Sequence, residues 1–365
     1  MTSNPTDLPD LTQARAAFAL WLFLWQLDQA LGFSAHLGPA AGFITHGYLG
    51  LDGFFLLSGI TLAHANRAML FPLPLAKYNA DHIRWHKFVP SAGATGRFYL
   101  RRIARLFPVN LAVLAMLAAL GFIPGLPVPT LPGLLRGLFL VQGWGAAAPG
   151  WVAPAWGLSA LWAGSLLFPP LAGIVGYFDI YVTVPLLVSC IGAIGLALTL
   201  GHGMPNLVFA QGFYRFFPEF LAGMLARRLV HTCADYETAR RFFRLAGPAL
   251  LVAALALQLD FLAVPALWMV LFAPLMQHDT ELPPLLKPSF LPLLAGRLAF
   301  AFTMSLTPAG LALGAWLGAP SAHPLLYGLG LFGLSALLAA LLHVALERPA
   351  RLFAARRLAL APASS

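Results

Sequence analysis

An aspartate stands near the start of the apolar run LGLDGFFLLSGI at residues 49–60. Asp52 is flanked by Gly50 and Gly53, and Ser58 follows near the end of the run. A carboxylate within a membrane is costly unless another group neutralises or hydrates it. Asp52 is therefore either an interfacial residue favoured by the dipole at a helix N-terminus or a buried partner for an arginine or a substrate hydroxyl. The run alone leaves both interpretations open.

Arginines and one glutamine supply a second set of polar groups near apolar runs. Arg15 begins the first run, and Gln26 follows it by eleven residues. Eleven residues make about three helical turns, so both side chains lie on one stripe of the helix. Arg102 and Arg105, three residues apart, share a helix face. Such a pair suits phosphate oxygens, although the bias of basic residues towards the cytoplasm and snorkelling to the interface explain these arginines equally.

Arg215 and Glu219 stand four residues apart in a further apolar segment. This spacing allows an ion pair along one helix. We expect the two side chains to pair with each other.

The composition of the chain indicates a polytopic membrane protein. Of 365 residues, 59% are hydrophobic and 10% are charged, and the mean hydropathy is +0.79. The apolar runs are continuous rather than alternating, which favours helices over a β-barrel. The net charge of +9 comes largely from basic residues beside these runs, so it indicates topology rather than nucleic-acid binding. The two cysteines cannot form a disulfide framework.

About ten segments are long and apolar enough to cross a bilayer. Basic clusters follow the second, sixth and tenth of these segments. Because basic residues favour the cytoplasmic side, an even number of spans is expected between successive clusters, and both termini are expected in the cytoplasm. A weaker segment at 133–146 contains Arg136 and is expected to be interfacial or re-entrant. The predicted spans are 16–34, 48–65, 104–123, 155–176, 181–200, 210–228, 246–263, 264–279, 291–318 and 323–346.

Five blocks of the sequence together resemble the membrane-bound acyltransferase-3 family, bacterial enzymes that O-acylate sugars and surface polymers. The blocks follow the family's order and, with Arg15, extend over residues 15–353. They are HGYLGLDGFFLLSGI (46–60), FYLRRIARLFP (98–108), WGLSALWAGSLLFP (156–169), RFFPEFLAGMLARR (215–228) and HVALERPARLF (343–353).

The resemblance implies one all-α transmembrane domain at 15–353, between cytoplasmic tails at 1–14 and 354–365. It implies an inner-membrane enzyme that transfers an acyl group from acyl-CoA to a hydroxyl of a saccharide or lipid-linked glycan, with no metal. Arg15, Arg102 and Arg105 would hold the phosphates of the cofactor. Asp52 and Ser58 would shape the path through the membrane.

Two positions depart from the family pattern. The family's first-helix histidine is Gln26 here, and the glutamate of its W-S-L-S-V-E block is Leu161. Glutamine cannot accept a proton usefully, whereas acyl transfer to a hydroxyl needs a general base. Asp52 is the first alternative for this base, and His46 and Asp28 are weaker ones.

Three functions therefore stay open: an active acyltransferase, a non-catalytic scaffold in glycan modification or export, and a transporter. For an active enzyme, restoring the histidine with Gln26→His should raise acyl transfer. We also expect Arg15, Gln26, Asp52 and Arg102 or Arg105 to meet in one cavity open to the cytoplasm.

Overall fold

The computed structural model describes residues 8–70, 91–126, 128, 130–144, 155–200, 210–233, 237–279 and 289–360, which form helices and connecting turns. Each predicted span corresponds to one long helix. These helices are α1 (Pro9–Leu31), α2 (Leu49–Ala65), α3 (Ala92–Leu120), α4 (Ala155–Val175), α5 (Ile180–Leu200), α6 (Ala210–Cys233), α7 (Glu237–Ala256), α8 (Asp260–Asp279), α9 (Phe290–Leu317) and α10 (Pro324–Leu342). A π-helical turn (His343–Glu347) joins α10 to α11 (Arg348–Leu360).

The chain is an all-α, multi-pass membrane protein. In the described ranges, five helices are long and apolar enough to cross a bilayer, and the segments at Leu49–Ala65 and Asp260–Met276 are shorter apolar helices. The weak segment at 133–146 contributes to a helix of only eight residues, Leu131–Leu138. Eight residues rise about 12 Å, less than half of the ~30 Å hydrocarbon core, so this helix does not span it.

Three helices begin seven or more residues earlier than hydropathy predicts, and the third of them, α7, begins at Glu237 instead of 246. α1 begins at Pro9, so Arg15 lies in its second turn rather than at its start. α3 begins at Ala92, where the Ser91 hydroxyl accepts a hydrogen bond from Ala94 N at 3.3 Å. Average hydropathy does not detect a polar first turn. The start of α1 is set by a proline and that of α3 by a capping serine, and neither depends on burial.

α2 and α6 run parallel and pack together at the centre of the bundle. The rings of Phe55 and Phe216 are 4.9 Å apart, and Gly59 faces Gly223 further along both helices. A Cβ atom on Gly59 would lie 2.1 Å from the carbonyl oxygen of Phe220, and one on Gly223 would lie 2.2 Å from that of Leu56. Glycine at both positions therefore permits the two backbones to touch.

The direction of these helices brings basic segments together. Because α2 and α6 are parallel, the basic residue Arg67 after α2 and the Arg227–Arg228 pair near the end of α6 lie towards the same end of the bundle. α3 packs against the opposite-running α4, where the Tyr99 hydroxyl donates to Leu166 O at 2.8 Å. We call the end that carries Arg67 and Arg227–Arg228 the basic end.

We predict that Gly59→Ala or Gly223→Ala destabilises the bundle by about 1–3 kcal/mol, because either methyl group would push two backbones apart. Thermal unfolding in detergent measures the change. Gly192→Ala on α5 is the matched control, since its Cβ would meet nothing within 4 Å. A melting temperature that is unchanged in the Gly59 and Gly223 variants would contradict this close packing.

Candidate functional site

A cavity at the basic end of the bundle has two adjoining compartments. The larger, about 500 Å³, lies within the range of ~300–1,000 Å³ that small-molecule sites occupy. The smaller, about 100 Å³, is mainly apolar and includes Leu51, Phe54, Leu158 and Phe300 in its wall. Both compartments share Arg15, Thr61, Leu62, Arg102 and Arg105, so these residues lie at the junction.

The walls of this cavity are strongly cationic. Arg101 joins the three shared arginines in the larger compartment, and Arg297 lines the smaller one. Among the described residues, no aspartate or glutamate lines either compartment. Several guanidinium groups without a carboxylate favour a ligand with more than one negative charge.

A carboxylate of the C-terminal segment interacts with an arginine of this cavity. Glu347, fully buried in the π-helical turn, forms an ion pair with Arg351 and contacts His343 Nδ1 at 2.7 Å. Arg351 is close enough to repel Arg102 and Arg105, while Glu347 attracts Arg105. Glu347 is thus already paired with Arg351, which does not line the cavity.

Four of the residues predicted from the sequence lie at this cavity. Arg15 comes from α1, Ser58 from α2, and Arg102 and Arg105 from α3. Leu161, at the position of the family's glutamate, lines the smaller compartment. The wall at this point is therefore apolar where the family pattern would place a carboxylate.

Asp52 and Gln26 are not among the residues that line the cavity. Asp52 is buried between α2 and α6, where its Oδ2 atom lies 2.5 Å from Arg215 Nη2. Gln26 is one helical turn beyond Leu22, the α1 residue in the wall of the smaller compartment. The expected convergence of all four groups is therefore only partial, because packing between α2 and α6 directs Asp52 away from the cavity.

Arg215 pairs both across helices and along its own helix, and the contact across helices is the shorter one. Its Nη2 group donates to Asp52, whereas its Nε atom is 4.0 Å from Glu219 Oε1, beyond hydrogen-bond distance. Glu219 is fully buried and lies close enough to Asp52 for the two carboxyl groups to interact directly. The expected pairing within the helix is therefore the weaker contact, because Asp52 is closer to the guanidinium.

The two weaker candidate bases have structural contacts away from the cavity. Asp28 accepts a hydrogen bond from the backbone of Ser34 at 2.7 Å and so closes the turn after α1. His46 lies before α2, with Nδ1 2.7 Å from Gly42 O and Nε2 3.3 Å from Asp260. Both ring nitrogens of His46 thus face acceptors at the end of the bundle opposite the cavity.

His64 is one of three charged or titratable cavity residues that the sequence analysis missed, with Arg101 and Arg297. It is buried in the last turn of α2 and lines the larger compartment together with the arginines. Ser58, Thr61 and His64 are spaced by three residues on one helix. This polar spacing in an otherwise apolar run was the available signal.

Comparison with protein-family models, curated proteins and solved structures finds no match for this chain. The resemblance to the acyltransferase-3 family therefore stays a prediction. In the described ranges, no three His, Cys, Asp or Glu side chains lie together as a metal site would require.

We predict that neutralising each of the buried charged residues between α2 and α6 lowers the stability of the protein by a different amount. Arg215→Met removes the cation that faces these two buried acidic side chains and should destabilise the protein by about 3–5 kcal/mol. Asp52→Asn should cost less, because Glu219 is already near enough to pair with Arg215. Glu219→Gln should cost least of the three.

Thermal unfolding of the three variants in detergent tests this order. Glu237→Gln is the control, because Glu237 forms exposed ion pairs on α7, which contribute little to stability. Equal losses in Arg215→Met and Asp52→Asn would show that Glu219 does not replace Asp52.

Proposed function

We propose that this protein is a membrane-bound acyltransferase that takes an acyl group from an acyl-CoA and transfers it to a hydroxyl of a saccharide or lipid-linked glycan. The phosphate groups of the acyl carrier bind at the arginine-lined cavity. The chain crosses a bacterial inner membrane ten times, with both termini in the cytoplasm, so that the cavity opens to the compartment that contains acyl-CoA.

The observation that carries this proposal is the convergence of Arg15, Arg101, Arg102 and Arg105 on one cavity without a lining carboxylate in the described part of the chain. Coenzyme A carries several phosphate charges, which match such a site. The adjoining apolar compartment suits an uncharged portion of the same ligand. A lipid-facing surface or a pure topology signal does not require these arginines to share one space.

Acyl transfer also needs a group that accepts the proton of the attacking hydroxyl. Asp52 is engaged by Arg215, and Gln26 cannot serve. His64 lines the cavity, and histidine is the side chain that most often serves as a general base. We assign it the role of proton acceptor: the hydroxyl oxygen bonds to the thioester carbon, the proton passes to the imidazole, and the departing thiolate takes that proton as the carbon–sulfur bond breaks.

A non-catalytic function is the second candidate. Leu161 in the cavity wall and Gln26 beyond it both lack the polar groups of the family pattern. Such a protein would still bind the polyanionic carrier, but it would act as a scaffold or partner in glycan modification or export. Binding and turnover therefore have to be measured separately.

We predict that Arg102→Gln and Arg105→Gln each weaken coenzyme A binding about tenfold or more, because each removes charge-assisted contacts to phosphate. The affinity of the purified protein in nanodiscs should also fall as salt concentration rises. Arg241→Gln is the control, since Arg241 is exposed on α7 and pairs with Glu237. Equal affinity in all three variants would overturn the proposed site.

We predict that His64→Gln lowers acyl transfer about a hundredfold or more, the usual scale of general-base assistance, while coenzyme A still binds. Membranes supplied with a labelled acyl-CoA and a glycan acceptor provide the assay. His323→Gln is the control, because His323 is exposed before α10. Full transfer by His64→Gln would remove His64 from the mechanism.

A further inference from the structure

Arg102 is held in the wall of the cavity by a neighbouring helix. Its Nε atom donates a hydrogen bond to Ser165 Oγ on α4 at 2.9 Å. Ser165 is fully buried, and Arg102 is 9% exposed. Water therefore does not compete strongly for the hydrogen bond between Arg102 and Ser165.

The Ser165 hydroxyl is itself fixed in direction. It donates to the carbonyl oxygen of Leu161, one turn earlier on α4, at 2.7 Å. Its hydrogen is therefore committed to the backbone, and a lone pair is left to accept from Arg102. The arginine is bound to a hydroxyl whose orientation the helix has already set.

This arrangement has two consequences for an anionic ligand. A guanidinium has five N–H donors, and only the one on Nε is used by Ser165. The terminal Nη groups, which form the fork that matches phosphate oxygens, are not engaged by this contact. A hydroxyl is also neutral, so it orients Arg102 without cancelling its charge, as a carboxylate would.

We propose that Ser165 is a positioning residue, which orients the Arg102 guanidinium and preserves its full charge for the phosphate groups of the ligand. This inference rests on the proposed function, because it assumes a polyanion in the cavity. Ser165 itself touches Arg102 rather than the ligand, so its effect on binding acts through Arg102.

Binding of adenosine 3′,5′-bisphosphate to the full chain in nanodiscs tests the inference separately from acyl transfer. Ser165→Ala should weaken binding about tenfold, the scale of a lost hydrogen bond to a charged group. Ser165→Thr keeps the hydroxyl and should restore most of the affinity. In an Arg102→Gln background, Ser165→Ala should cause no further loss, because the residue that it orients is gone.

Ser305→Ala is the matched control. Ser305 is also fully buried and donates to the carbonyl oxygen four residues earlier, that of Ala301, at 2.8 Å. This variant should bind the bisphosphate like the unmodified protein. If it binds as weakly as Ser165→Ala, loss of a buried serine rather than the orientation of Arg102 explains the result, and the inference fails.

The remaining outcomes separate this inference from the proposed function. Unchanged binding in Ser165→Ala, or an equal loss in the presence and absence of Arg102, overturns the role of Ser165 alone. If the unmodified protein does not bind the bisphosphate, the phosphate site of the proposed function fails as well. Ser165→Cys, whose thiol is close to serine in size and only a weak hydrogen-bond acceptor, replaces Ser165→Ala should that variant not fold.

Discussion

The structure depends on one guanidinium placed against two carboxylates inside the bundle. Arg215 contacts Asp52 at 2.5 Å and lies 4.0 Å from Glu219. Charges at this depth persist only when they are paired, so this contact ties α2 to α6 in one register. The same register sets Gly59 against Gly223. A shift of either helix would separate the charges and drive the backbones into each other.

The register of α2 also determines which of its side chains line the cavity. Ser58, Thr61 and His64 follow Asp52 on the same helix and line the cavity two to three turns further on. The helix thus carries a neutralised charge at one level and polar side chains that line the cavity at another. In the core, arginine is matched by carboxylate; at the cavity, several arginines meet without a lining carboxylate in the described ranges. The two places therefore differ in how arginine is surrounded: by carboxylates in the core, and at the basic end by cavity-lining groups that include no carboxylate among the described residues.

Some features of the site followed from local spacing, and others did not. Arg102 and Arg105 share the cavity because residues three apart lie on one helix face. The role of Asp52 depended on whether an arginine from a segment over 160 residues away would reach it, which no local pattern encodes. Periodicity favoured the pairing of Arg215 with Glu219, yet the shorter contact goes to Asp52. His64 was missed because a lone histidine in an apolar run resembles an ordinary interfacial residue.

The sequence by itself determined that the chain is a multi-pass helical membrane protein, because unbroken apolar runs in a bilayer must satisfy their backbone groups internally. It also determined which residues carry charge near those runs. Only the tertiary structure decided which charges neutralise each other and which surround a cavity. Pairing depends on helix crossings, and a crossing such as that of α2 with α6 is set by contacts between distant segments rather than by the order of residues within one helix.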